Sequence, residues 1–213
     1  MLLQLVKKDF LIVKKYVLLM LAVCVLFPLF LILRLPEYAG ILGFILITVV
    51  SILMLLQYVS LKETQYPKAL TFLCALPFSR KNIVLSKYIF CIFIYFACCL
   101  IFGIEALLFP VLRSVGYKIP IILFLVLSLC LGIYLPIQYK FGYEKTKMFF
   151  TVLIMASPFG LAQALKAEPG FFIEFLLNIN PLALLIGSFI ISALVLIISS
   201  GISVKIYSKT DLA

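Results

Sequence analysis

Hydrophobic residues run along this chain in long blocks, and the polar residues collect in the gaps between them. Six blocks, carrying no charge apart from Glu105, fall at about residues 16–33, 39–60, 88–109, 119–138, 148–165 and 182–203. A bilayer core about 30 Å thick takes roughly 20 apolar residues as a helix, whereas a barrel strand takes about ten and alternates. The pattern therefore predicts an all-α, polytopic membrane protein with six transmembrane helices, forming a single transmembrane domain over residues 1–213.

Three of the gaps are patterned themselves. In MLLQLVKKDFLIVKK (1–15), Leu2, Leu5, Val6, Phe10 and Val13 gather on one side of a helical wheel, opposite Gln4, Lys7, Lys8, Lys14 and Lys15. That arrangement suits an interfacial helix on the inner membrane surface, although Asp9 falls toward the apolar side; a plain basic flank is the simpler alternative. The stretch LKETQYPKALTFLCALPFSRKNIVLSK (61–87) is longer than a turn between neighbouring spans needs. Pro67 suits a first helical turn and Pro77 disfavours helix at Leu76, so a short cytoplasmic helix is expected over about 66–76. Leu70, Leu73 and Cys74 lie at i, i+3 and i+4 on it, flanked by Phe72 and Leu76. A helix this short needs something to dock on, either a partner or lipid headgroups. Ser79 is placed to cap the next helix, and Arg80, Lys81 and Lys87 to hold its start at the membrane surface. Outside, EPGFFIEFLLNINP (168–181) is apolar enough to form a short helix dipping into the outer leaflet.

Composition narrows the possible functions. The chain is 66% hydrophobic and 12% charged, with a mean hydropathy of +1.29, far from a soluble domain, in which about a quarter of residues are charged. A net charge of +10 here describes topology and not nucleic-acid binding, which would need a basic stripe on a soluble fold. On a six-span path, Arg34, Arg113, Lys118 and Lys166 lie on one side and the other fourteen of the 18 Lys and Arg lie on the side of the termini. The positive-inside rule then puts both termini in the cytoplasm. The first apolar run, at about 18 residues, exceeds a signal-peptide core and lacks an A-x-A-like site, so a retained span is expected.

Candidate chemistry is sparse. With no His in the chain, Ser-His or Cys-His nucleophile pairs and HExxH zinc sites are excluded. No GxxxxGK[ST] loop is present, so any ATP would be bound by another subunit. Cys24, Cys74, Cys91, Cys98, Cys99 and Cys130 sit in or beside apolar runs without CxxC spacing, as small buried hydrophobes would. No catalytic residue and no metal site is expected. The connection IQYKFGYEKTK (137–147) offers Tyr139, Lys140, Gly142, Glu144 and Lys145 as a second cytoplasmic contact or as a turn alone, with Gly142 able to take a positive φ.

The segment LCALPFSRKNIVLSKY after the second block, QYKFGYEK after the fourth, the KKDFLIVKK start and the outer apolar segment together resemble permease subunits of the ABC-2 type, in particular those of phenol-soluble modulin exporters of Gram-positive bacteria. The resemblance implies an exporter permease that is not itself an enzyme. It would sit as a multi-pass protein in a Gram-positive cell membrane, paired with a second permease copy, identical or related. A separate ATP-binding cassette ATPase would hold ATP and Mg, with none in this chain. It further implies a coupling helix over Tyr66, Lys68, Leu70, Phe72, Leu73 and Leu76, continued by Arg80 and Lys81. Phe72 and Leu73 would anchor the ATPase, and Glu63, Lys68, Arg80 and Lys81 would serve as rim charges.

Glu105 is the one ionisable residue inside a block, about 25 Å along its helix from Tyr88 at about 1.5 Å per residue. Such a residue prompts a functional hypothesis: it either bonds between helices near the outer surface or lines an export path. It also supports the rival reading, a small proton-coupled multidrug exporter, which would want its carboxylate nearer the bilayer midplane.

Overall fold

The computed structural model describes residues 2–34, 39–66, 79–116, 118–148, 151–152 and 181–209. Six long helices cover most of them: α1 (Leu2–Ile12), α2 (Lys14–Arg34), α3 (Ala39–Gln65), α4 (Arg80–Leu108), α5 (Lys118–Phe141) and α6 (Pro181–Lys209). All but α1 are long and apolar enough to cross a membrane. No strand occurs among the described residues, so this is an all-α polytopic membrane protein. The expected span at 148–165, the docking helix beyond Tyr66 and the outer helix at 168–181 lie essentially outside the described residues.

Local chemistry sets the helix ends where sequence reading put them. Ser79 caps α4, its Oγ accepting from the Asn82 backbone N–H at 3.3 Å. Gly142 takes φ 82° and its N–H closes α5 by donating to the Gln138 carbonyl at 3.0 Å. Only a residue without a Cβ adopts that conformation without strain, and the chain turns helical again at 143–148. Pro181 opens α6 at a position where its missing N–H costs nothing. The helices overrun the apolar blocks: α3 continues to Gln65, about one and a half turns past the apolar limit, and α4 starts at Arg80, about two turns before it. These overhangs carry Glu63 and Lys87.

Paired contacts give the path. Tyr16 stacks on Tyr58 at 3.8 Å, while Gly43 at the other end of α3 lies against Leu31 and Pro28, so α2 and α3 are antiparallel. Phe44 meets Phe102 at 5.1 Å and Glu63 meets Lys87, so α3 and α4 are antiparallel as well. Between α5 and α6 the order is different. Ser199 Oγ donates to the Gly132 carbonyl at 2.8 Å, and further on Tyr139 meets Tyr207 at 5.3 Å; both contacts advance together, so these two helices are parallel. A Cβ on Gly132 would sit 2.9 Å from Val195 Cγ1, which is why glycine is needed at this crossing.

The core runs through α3 and α4, with Phe44, Ile52, Leu56, Val59, Val84, Phe90 and Cys91 nearly or fully enclosed. Tyr88 ties the layer together, its hydroxyl lying 2.7 Å from Ser199 Oγ and 2.9 Å from Ser203 Oγ. Helix α1 is packed onto α4 through Phe10 and Phe90, with ring centroids 4.7 Å apart. It buries Leu5, Val6 and Asp9 and leaves Leu3, Leu11 and Ile12 exposed.

Candidate functional site

Lys8 and Asp9 of α1, Glu63 at the end of α3, and Ser86 and Lys87 at the start of α4 meet at one end of the bundle. The Lys8 ammonium lies 3.0 Å from Asp9 Oδ1 and 3.3 Å from Glu63 Oε1. The other Glu63 oxygen, Oε2, is ion-paired with Lys87 Nζ. Ser86 Oγ donates to Asp9 Oδ2 at 3.3 Å, and the Tyr139 ring of α5 lies 5.6 Å from the Lys87 ammonium.

Burial makes this arrangement consequential. The side chains of Asp9, Lys87 and Glu63 are 1%, 5% and 12% exposed. A charge removed from water costs several kcal/mol unless it is paired and hydrogen-bonded. Two carboxylates here face two ammoniums, so the cluster is neutral as a whole; Glu63 is paired across helices with Lys8 and Lys87, while Asp9 pairs with Lys8 of its own helix and reaches α4 through Ser86. Burial, the largest influence, raises the Asp9 carboxyl above the usual carboxylate range; Glu63 adds to that rise, and Lys8 and Lys87 oppose it.

Three sequence expectations are corrected by this cluster. Glu63 is not a rim charge for a partner, because it turns inward to Lys8 and Lys87. Lys87 does not hold α4 at the membrane surface, since its ammonium lies inside the bundle. Asp9 does not spoil the amphipathic face of α1; it is the polar element of the buried face and the reason that face meets α4 at Ser86. The available signal was Asp9 itself, since a carboxylate on an apolar helix face requires a partner.

The remaining site residues separate into two groups. Tyr66 is exposed, with the Lys62 ammonium 5.9 Å from its ring. Arg80 donates from Nη1 to the Ser208 carbonyl at 3.0 Å, bringing the end of α6 to the same face, and Lys81 is exposed beside it. Lys68, Leu70, Phe72, Leu73 and Leu76 lie outside the described residues. In the second connection Lys140, Gly142, Glu144 and Lys145 are exposed, whereas Tyr139 turns inward between Lys87 and Tyr207. Near the opposite end, Glu105 is 6% exposed, and neither carboxylate oxygen has a hydrogen-bond partner among the described residues.

The geometry is mechanical rather than chemical. Among the described residues no group of three or more His, Cys, Asp or Glu could hold a metal ion. The ion pairs instead join the two helix ends that flank residues 67–78, where α3 stops and α4 begins, and fasten both to α1.

Comparison with known proteins adds the identity of the framework. No curated protein and no solved structure matches the chain. A protein-family model described as "ABC-2 family transporter protein" matches residues 4–208, nearly the whole length. The chain belongs to the ABC-2 family of transporter proteins: it is a membrane-spanning, non-catalytic permease component of an ABC transporter, whose ATP is hydrolysed by a separate subunit.

Proposed function

We propose that this permease exports amphipathic or hydrophobic substrates, among them peptides of the phenol-soluble modulin or antimicrobial type, from the cytoplasm or inner leaflet outward. It works with a second permease copy and two ATPase subunits carrying ATP and Mg, in a Gram-positive cell membrane with both termini inside. Residues 66–76 form the docking helix, with Phe72 and Leu73 as apolar anchors, because buried apolar anchors carry more affinity than exposed ion pairs. Lys140, Gly142, Glu144 and Lys145 give the second contact. Support for the six-span path comes from α5 and α6, which run parallel, as the fourth and sixth spans of such a path would.

The observation that carries this reading is the Lys8–Glu63–Lys87 linkage. A docking segment fastened at both ends to buried ion pairs passes motion of a bound motor into α3 and α4 as rigid-body movement, since packed elements shift between discrete arrangements. Glu105 is then a residue of the export path or of a helix contact. The rival reading, in which Glu105 drives proton-coupled export, conflicts with membership of a family energised by a separate ATPase.

The test is Phe72→Asp. The substitution is expected to abolish co-purification of the ATPase while the permease still inserts in the membrane. Undiminished co-purification sinks the docking assignment, and transport that survives without ATP but collapses with the proton gradient restores the rival.

A further inference from the structure

We propose that the elbow between α1 and α2 is a binding site for one anionic phospholipid of the leaflet on which α1 lies. The inference rests on the membrane placement of α1 and is independent of what the transporter exports. A stripe of residues runs along one face of both helices across the break at Val13: Lys7, Phe10 and Leu11, then Lys14, then the apolar Val17, Leu18 and Leu21. Together they wall an open cavity of about 260 Å³.

The order of chemistry along that stripe matches a phospholipid. Lys7 on α1 and Lys14 at the start of α2 line the cavity about one turn either side of Phe10 and Leu11, where a phosphate would sit between them. Below them Val17, Leu18 and Leu21 continue down α2, and Leu11 and Leu18 are 60% and 71% exposed, offering an apolar track to an acyl chain. Neither Lys7 nor Lys14 forms an ion pair among the described residues, and the single acid of α1, Asp9, faces the other way into the bundle. The positive charge on this face is therefore uncompensated, in contrast to that of Lys8. A zwitterionic lipid would bring its own cation to the ammoniums, so the site selects a headgroup with net negative charge.

The experiment uses the full-length permease purified in detergent and native mass spectrometry with an equimolar mixture of phosphatidylglycerol and phosphatidylcholine of matched acyl chains. Phosphatidylglycerol adducts are expected to dominate. One basic residue near an anionic lipid surface is worth about fivefold in affinity, so Lys7→Gln and Lys14→Gln should each lower phosphatidylglycerol retention by about that factor. Lys7→Arg with Lys14→Arg should keep it. As a charge-matched control, Lys145→Gln with Lys205→Gln should leave retention unchanged. Equal retention of the two lipids by the parent overturns the proposal, as does an equal loss in the control, which would reduce the effect to general surface charge. Because no ATPase or cargo is involved, failure here leaves the transport reading standing, and failure there leaves this site standing.

Discussion

Two glutamates among the described residues are enclosed under opposite conditions. Glu63, at the α1 end of the bundle, is held between two ammoniums, while Glu105, toward the far end of α4, has neither oxygen bonded among the described residues. Both are glutamates on long apolar helices, so the difference lies wholly in what their neighbours supply. A buried carboxylate with partners on other helices is an architectural joint, and its removal leaves the partners stranded. A buried carboxylate without one gains little from its charge and is available for a different duty.

Breaking the joint should have the largest effect. Lys87→Ala leaves Glu63 with Lys8 alone and is expected to cost about 3–5 kcal/mol, the usual penalty for removing one partner of a buried pair. The measurement is a thermal melt of the purified permease in detergent. Lys87→Met combined with Glu63→Met should recover most of the loss, because two apolar residues of similar volume leave no stranded charge. No recovery would mean that packing, and not charge, is what Lys87 contributes.

A comparable but uncharged perturbation gives the scale. Gly132→Val forces a side chain into Val195 at the α5–α6 crossing, and overpacking of this kind costs about 1–3 kcal/mol. The melt should fall by less than in Lys87→Ala, and the Lys8–Glu63–Lys87 linkage should persist. Glu105→Gln is expected to sharpen the contrast: its melt should not drop below that of the parent, whereas Glu63→Gln should lower it. A large loss in Glu105→Gln would show that this carboxylate, too, is a structural joint.

The smallest effect concerns pH. Asp9 carries a folded-state pKa raised by burial, with Lys8 and Lys87 opposing and Glu63 reinforcing the rise. The favourable share of its linkage is complete below its unfolded value, about 4, and is lost as pH rises through the folded value. Asp9→Asn should therefore gain on the parent as pH rises, seen as converging or crossing melting curves across a pH series. A gap that stays constant with pH would mean that Asp9 titrates alike in both states.

The helix ends beside the candidate site were legible in the sequence, the charge cluster itself was not, and what was missed shares one cause. The cap at Ser79 and the turn at Gly142 were readable because each depends on residues within three or four positions. The basic face of α1 was readable from helical periodicity. Glu63 was misread as a rim charge because its partners, Lys8 and Lys87, stand 55 and 24 positions away, and periodicity is silent about which helix lies opposite. Asp9 was noticed as an exception, but the sequence offered no means of naming Ser86 as its partner. The inward turn of Tyr139 among otherwise exposed neighbours has the same origin, since it answers to Lys87 and Tyr207 on other helices.

The amino-acid sequence alone determined that this is a bundle of membrane-crossing helices and where most of their ends fall. Those properties follow from local apolar content and from turn and cap chemistry, which act over a few residues. Only the tertiary structure decided which charges face each other, that α5 and α6 run side by side in the same direction, and that Glu105 stands apart. Such choices depend on contacts between helices far apart in the chain, where the desolvation cost of a buried charge is met or left unmet.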